Sequence, residues 1–255
     1  MNRKAIIFGI KGYQLTIKEK YLLKEAKPWG IILFSRNIKN IFQLKTLIDN
    51  IQKILGDKKY PILIDQEGGE VSRLNKIIGS RSFSKNPKDI IRLGKLCINL
   101  HERNKIATVI KHIPGLGLSK SDTHYKKPII KASKKELIKT DFKTFRSCES
   151  FFAMTAHVVY SIYDPDNTAT HCKLIINNVI RNDINFKGIL ISDDISMKSL
   201  KYDLIKNATK ALHAGCNLVL HCNGNIKEMR KLSKVIPKID KFTQKKTSHF
   251  YKFLG

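Results

Sequence analysis

The side chains with the most chemical potential stand where short apolar runs end. Asp193 follows the run Gly188-Ile189-Leu190-Ile191 and Ser192. A carboxylate held there can attack an anomeric carbon as a nucleophile or ligate a metal ion. It can equally cap a helix beginning near Met197. Its neighbour Asp194 must face the other way, because successive side chains of a strand point to opposite faces. Asp122 and His124 stand two residues apart in the stretch from Lys111 to His124, which contains Pro114, Gly115 and Gly117 and so has freedom to fold over a site. A carboxylate bonded to one imidazole nitrogen fixes the tautomer and raises the basicity of the other, which makes a proton shuttle. The same pair also fits an ordinary surface turn.

These residues require elements to bring them together. Apolar runs at Ala5–Ile10, Gly30–Phe34, Pro61–Ile64, Ala107–Ile110, Phe151–Ala156, Gly188–Ile191 and Asn217–His221 are nearly continuous, as parallel strands buried on both faces should be. Between them, Ile41–Leu55, Leu137–Phe145, Leu174–Ile180 and Leu204–Leu212 carry apolar residues at helical spacing, and the last ends at Gly215, a plausible C-cap. The stretch from Asn86 to Lys105 reads as one more helix. Alternation of this kind predicts an α/β domain. Nearly every strand ends in polar residues: Ser35-Arg36-Asn37, Asp65-Gln66-Glu67, Lys111-His112, His157, Asp193-Asp194, Cys222-Asn223. Such ends converge on one point only if the strands form a ring, which favours a (β/α) TIM-type barrel over an open sheet. No GxGxxG or GxxxxGK[ST] follows a strand, so a dinucleotide or P-loop site is not expected.

Composition narrows the classes further. Over 255 residues, 42% are hydrophobic and 27% charged, which suits a globular chain with a substantial core. No apolar run approaches the ~18 residues needed to span a bilayer, and the first apolar stretch is too short for a signal peptide, so a cytoplasmic protein without a membrane partner is expected. Five cysteines (Cys97, Cys148, Cys172, Cys216, Cys222) without a CxxC pair argue against a disulfide framework and a zinc site. The net charge of +27 suggests nucleic acid at first. However, 39 of the 48 basic residues are lysines scattered over every segment, with no concentrated arm and few of the arginines that read bases. The charge reads as compositional background, with no specific nucleic-acid partner.

Four motifs then act together. Ile64-Asp65-Gln66-Glu67-Gly68-Gly69-Glu70-Val71-Ser72-Arg73, the Lys111–His124 stretch, Ala156-His157-Val158-Val159-Tyr160 and Ile191-Ser192-Asp193-Asp194-Ile195-Ser196-Met197 occur in this order. With the strand Gly30–Asn37 and the stretch Ile78–Phe83, they resemble family 3 glycoside hydrolases of the bacterial β-N-acetylglucosaminidase type, from Ile6 to about Asn225. The resemblance implies a retaining exo-β-N-acetylglucosaminidase of peptidoglycan recycling, acting on N-acetylglucosaminyl-anhydro-muramyl peptides or related small glycosides. It implies Asp193 as nucleophile, His124 as general acid/base and Asp122 as the group orienting His124. Asp65, Arg73, Arg81, Lys111 and His112 match substrate-binding positions. No metal or organic cofactor is implied.

The sequence departs from the family in two places. The family carries several tens of residues, including a barrel strand, between the positions matching Arg73 and Arg81. Here the unit is missing, so the barrel is expected to be shortened to about seven strands. Leu116 replaces a His common in the family. Residues 1–255 read as a single barrel domain with a basic C-terminal tail from about 226. The alternative to an active hydrolase is a catalytically degenerate relative that binds amino sugars or a protein partner.

Overall fold

A computed structural model describes residues 1–67, 84–119 and 128–255. Its elements, in chain order, are β1 (Lys4–Gly9), α1 (Ile17–Ala26), β2 (Pro28–Leu33), α2 (Ile41–Leu55), β3 (Ile62–Ile64), α3 (Pro87–Arg103), β4 (Val109–Ile113), β5 (Ile129–Ile130), α4 (Lys134–Lys139), α5 (Asp141–Arg146), β6 (Phe152–Thr155), β7 (Val159–Tyr160), β8 (Ile189–Asp194), α6 (Leu204–Ala214), β9 (Leu218–His221), α7 (Ile226–Val235) and α8 (Lys241–Leu254). The chain forms two compact units. One comprises Met1–Ser82 with Leu220–Ile239, the other Phe83–Val219 with Asp240–Gly255.

In the first unit the strand order is β3-β2-β1-β9, with β1, β2 and β3 paired in parallel. Ile6, Ile7 and Phe8 of β1 and Trp29 and Ile31 of β2 are buried, because these strands are covered on both faces. Helix α1 begins with a capping box in which Thr16 and Glu19 satisfy each other's backbone N–H groups. Helix α2 buries Leu44, Leu47 and Ile51, spaced three and four residues apart, and ends at Gly56 in the left-handed conformation. The start of β1 is closed by the far end of the unit: Ala5 N–H donates to Pro237 O, and Ile239 N–H donates to Arg3 O.

In the second unit β8, β6 and β4 are parallel neighbours in that order, while β5 and β7 form a separate short parallel pair. Ala153, Leu190 and Ile191 are inaccessible to solvent. Helix α8 contributes Phe250 and Phe253 to an aromatic cluster with Phe151 and Phe152, the closest rings 4.9 Å apart. The basic stretch beyond residue 226 is therefore folded as α7 and α8.

The seven apolar runs read from the sequence are β1, β2, β3, β4, β6, β8 and β9. Three local readings change. The periodic stretch Leu137–Phe145 is divided at Thr140 into α4 and α5. The segment Ile175–Asp183 is π-helical. No helix begins near Met197: the chain turns there, and the next helix, α6, starts at Leu204 with Asp203 as its N-cap and Gly215 as its C-cap. Among the described residues, no helix is long and apolar enough to cross a membrane.

Candidate active site

The second unit brings three of its strand ends together around Asp193. Strand β4 reaches further than the apolar run that announces it and carries Lys111 and His112 within it. Its register against β6 slips there: Lys111 lies opposite Met154 and Ile113 opposite Thr155, so His112 is the extra residue of a bulge. A bulge re-aims its side chain, and here His112 Nε2 lies 3.6 Å from Asp193 Oδ2, with both side chains less than one-fifth exposed. Asp193 itself stands near the end of β8, after the fully buried Ser192.

The two carboxylate oxygens of Asp193 are differentiated. Oδ1 accepts the backbone N–H of Asp194 at 2.7 Å, and Oδ2 faces His112. Asp193 therefore does not cap a helix. Burial pulls its pKa upward, but the charges of His112 and His157, the Asp194 N–H and Lys111 outweigh that pull. The net result is a pKa below the usual carboxylate range. The group is held ionised in a partly desolvated site, as a nucleophile must be. Asp194 turns its side chain to Ser196, whose N–H and hydroxyl both donate to it, as strand alternation predicts.

His157, which follows β6, belongs to the same cluster, although the sequence reading left it without a role. It is 1% exposed. Its Nε2 donates to the carbonyl of Asp194 at 3.0 Å, and its Nδ1 lies 2.8 Å from the hydroxyl of Thr170. That backbone bond ties the end of β6 to the end of β8 and fixes the ring beside Asp193. The signal was available, since His157 terminates a buried strand as Asp193 nearly does.

Other polar strand ends serve structure. In the first unit, Asn37 Nδ2 donates to the carbonyls of Ile10 and Gly12, and Arg36 Nε donates to Ile10 O while its NH2 group bonds Cys222 O. Asn223 donates to Glu228, which also accepts from His221. Asp65, half-buried, directly follows β3 in this unit. Arg73, Arg81, Asp122 and His124 lie outside the described residues, as does the stretch between Arg73 and Arg81 where a strand is expected to be missing. No group of three or more His, Cys, Asp or Glu suited to a metal ion occurs among the described residues.

Comparison with known proteins gives the family and the fold. The sequence profile of the glycosyl hydrolase family 3 N terminal domain matches residues 73–249. A β-hexosaminidase of Photobacterium profundum is 28% identical over 311 aligned positions, covering 98% of this chain and 92% of its own length. The alignment exceeds the 255 residues of this chain, so the relative has residues with no counterpart here. A β-hexosaminidase of Psychromonas ingrahamii is 27% identical, covering 86% of this chain and 83% of its own. Among solved structures, NagZ from Neisseria gonorrhoeae in complex with N-trifluoroacetyl-D-glucosamine superposes with a TM-score of 0.87 at 25% identity, covering all of this chain and 90% of that one. The fold class is that of the (β/α) TIM-type barrel. With its profile match spanning most of the sequence, the chain belongs to glycosyl hydrolase family 3, in a shortened form, and is a glycoside hydrolase.

Proposed function

We propose that this chain is a retaining exo-β-N-acetylglucosaminidase that removes terminal β-linked N-acetylglucosamine from muropeptide-type glycosides. Residues 1–255 act as one barrel domain, and the expected setting is cytoplasmic peptidoglycan recycling. The observation carrying this reading is the ionised Asp193, with one oxygen anchored and the other directed toward His112. The β-hexosaminidase relatives supply the sugar class.

In the first step Asp193 Oδ2 attacks C1 of the bound sugar as the bond from C1 to the leaving oxygen breaks. Protonated His124, oriented by Asp122, gives its proton to that oxygen. In the second step neutral His124 takes a proton from water, whose oxygen attacks C1 and releases Asp193, so configuration is retained. Lys111 and His112 border Asp193 and are assigned, with Asp65, Arg73 and Arg81, to donating or accepting hydrogen bonds at the sugar and its neighbour. The cationic environment that keeps Asp193 ionised also suits a carboxylate that must leave again in the second step.

The test is release of a fluorogenic aglycone from its β-N-acetylglucosaminide by wild type, Asp193→Asn and His124→Ala. Wild-type turnover is expected, abolished by the first substitution and reduced about 10²-fold or more by the second. Folded wild-type protein inert toward both this substrate and an anhydro-muramyl glycoside would sink the reading, leaving a degenerate binder of amino sugars or a protein partner.

A further inference from the structure

Asp141, the first residue of α5, lies 24 positions from Gly117 in sequence, yet its carboxylate meets the chain that leaves β4. Its Oδ1 accepts the N–H of Gly117 at 3.0 Å. The approach is close enough to exclude side chains on the other partner: a Cβ at Gly117 would lie 2.7 Å from Asp141 Oδ1, and one at Gly115, where φ is +147°, would lie 2.4 Å from Asp141 Cβ. The carbonyl of Gly115 is held from another side by the hydroxyl of the fully buried Tyr160. Tyr160 stays a donor, since burial and the nearby Asp141 push its pKa well above the ordinary tyrosine value. Chain from Gly115 to Gly117 is thus gripped between a buried carboxylate and a buried phenol.

The grip is costly. Asp141 is only 8% exposed, its Oδ2 is buried without a hydrogen-bond partner among the described residues, and burial raises its pKa despite the N–H groups of Gly117 and Leu118. An apolar residue of similar size would fill this space without an unsatisfied oxygen. What only a carboxylate supplies is an acceptor for the backbone of this one stretch.

We infer that Asp141 is a positioning residue of the reaction, setting the path of Gly115–Leu118, the chain that follows His112 and leads in sequence to Asp122 and His124. The inference rests on the proposed hydrolase reading. A small displacement of a proton donor costs far more on substrates whose leaving group needs the proton than on those that leave unaided.

The experiment compares Asp141→Asn with wild type on two β-N-acetylglucosaminides, one with a 2,4-dinitrophenyl leaving group and one with an alkyl leaving group. Thermal unfolding and amide hydrogen exchange at Gly117 are followed in parallel. Asp141→Asn is expected to keep the wild-type Tm, to lose protection at Gly117, and to turn over the alkyl glycoside about 10²-fold more slowly with KM little changed. The dinitrophenyl glycoside should lose much less. Equal losses on both substrates, losses that follow a fallen Tm, or unchanged rates would each overturn the assignment. Should the variant not fold, Gly117→Ala carries the same expectations, because its methyl group displaces the same stretch. Wild-type silence on both glycosides would instead refute the hydrolase reading, and exchange at Gly117 would then decide by itself whether Asp141 holds the stretch.

Discussion

His171 shows how burial is tuned beside the candidate site. It is 8% exposed and donates from Nε2 to the carbonyl of Asn207. Burial first, and then the charges of His157 and Lys210, bring its pKa down to about 4 against the pull of that carbonyl. Unfolded, the ring binds a proton near pH 6.5, so in the interval from about 6.5 to 4 the unfolded chain holds more protons than the folded one. Stability must therefore fall as pH drops through that interval, by about 2 kcal/mol between pH 7 and pH 5 from this residue alone. Urea unfolding of His171→Gln should lack this component, giving a smaller difference between the two pH values than wild type. Residues of the candidate site were legible to unequal degrees. Asp193 could be read because it follows an uninterrupted apolar run, whereas its capping alternative looked equally sound until the turn at Met197 removed the helix. Asp141 left no trace, because nothing in its own neighbourhood of the sequence shows that Gly117 lies against it.

At the scale of elements, continuous apolar runs located all seven strands of the two main sheet segments, most sharply β1, β2, β6 and β9, whose burial leaves little other composition open to them. Strand ends were the weaker part. A reading by hydropathy stops at the first charged residue, while β4 extends through Lys111 and His112 and β8 through Asp194. Strands that deliver polar groups to a site extend past the point where their hydrophobicity stops. The two-residue strands β5 and β7 are too short for any periodicity to show. The end of β1 carries a sharper requirement. A Cβ at Gly9 would lie 2.1 Å from the carbonyl oxygen of Cys222, a backbone atom that cannot rotate away. Gly9→Ala should cost about 3 kcal/mol in urea unfolding, while Gly12→Ala, with open space around it, should stay within about 0.5 kcal/mol of wild type. A small effect at Gly9 would show that the ends of β1 and β9 can separate.

At the scale of the molecule, the charge of +27 is spread over helices and loops of both units. Lysine dispersed in this way attracts polyanions through long-range fields that salt screens within about 10 Å at 0.1 M ionic strength. Binding to random duplex oligonucleotides should be measurable at low salt and vanish by about 0.2 M, without sequence preference. Fluorescence anisotropy across a salt series checks this, and binding retained at the higher salt would give the charge a function of its own.

The first unit also has a history imposed by its connectivity. The start of β1 is completed by residues near the far end of the unit, with Lys4 Nζ bonding the carbonyl of Ile236, 232 positions later. A ribosome adding about 5–20 residues per second needs roughly 10 to 50 s to supply that partner. For most of that interval the nascent chain carries a buried-type strand, Ala5-Ile6-Ile7-Phe8, before β9 has been made to lie beside it. The strands of the second unit come from the middle of the chain and can be gathered earlier, although α8 completes that unit only after the first unit has been made. Vectorial synthesis thus leaves β1, made long before its partners, to wait for β9 and for the segment around Ile236.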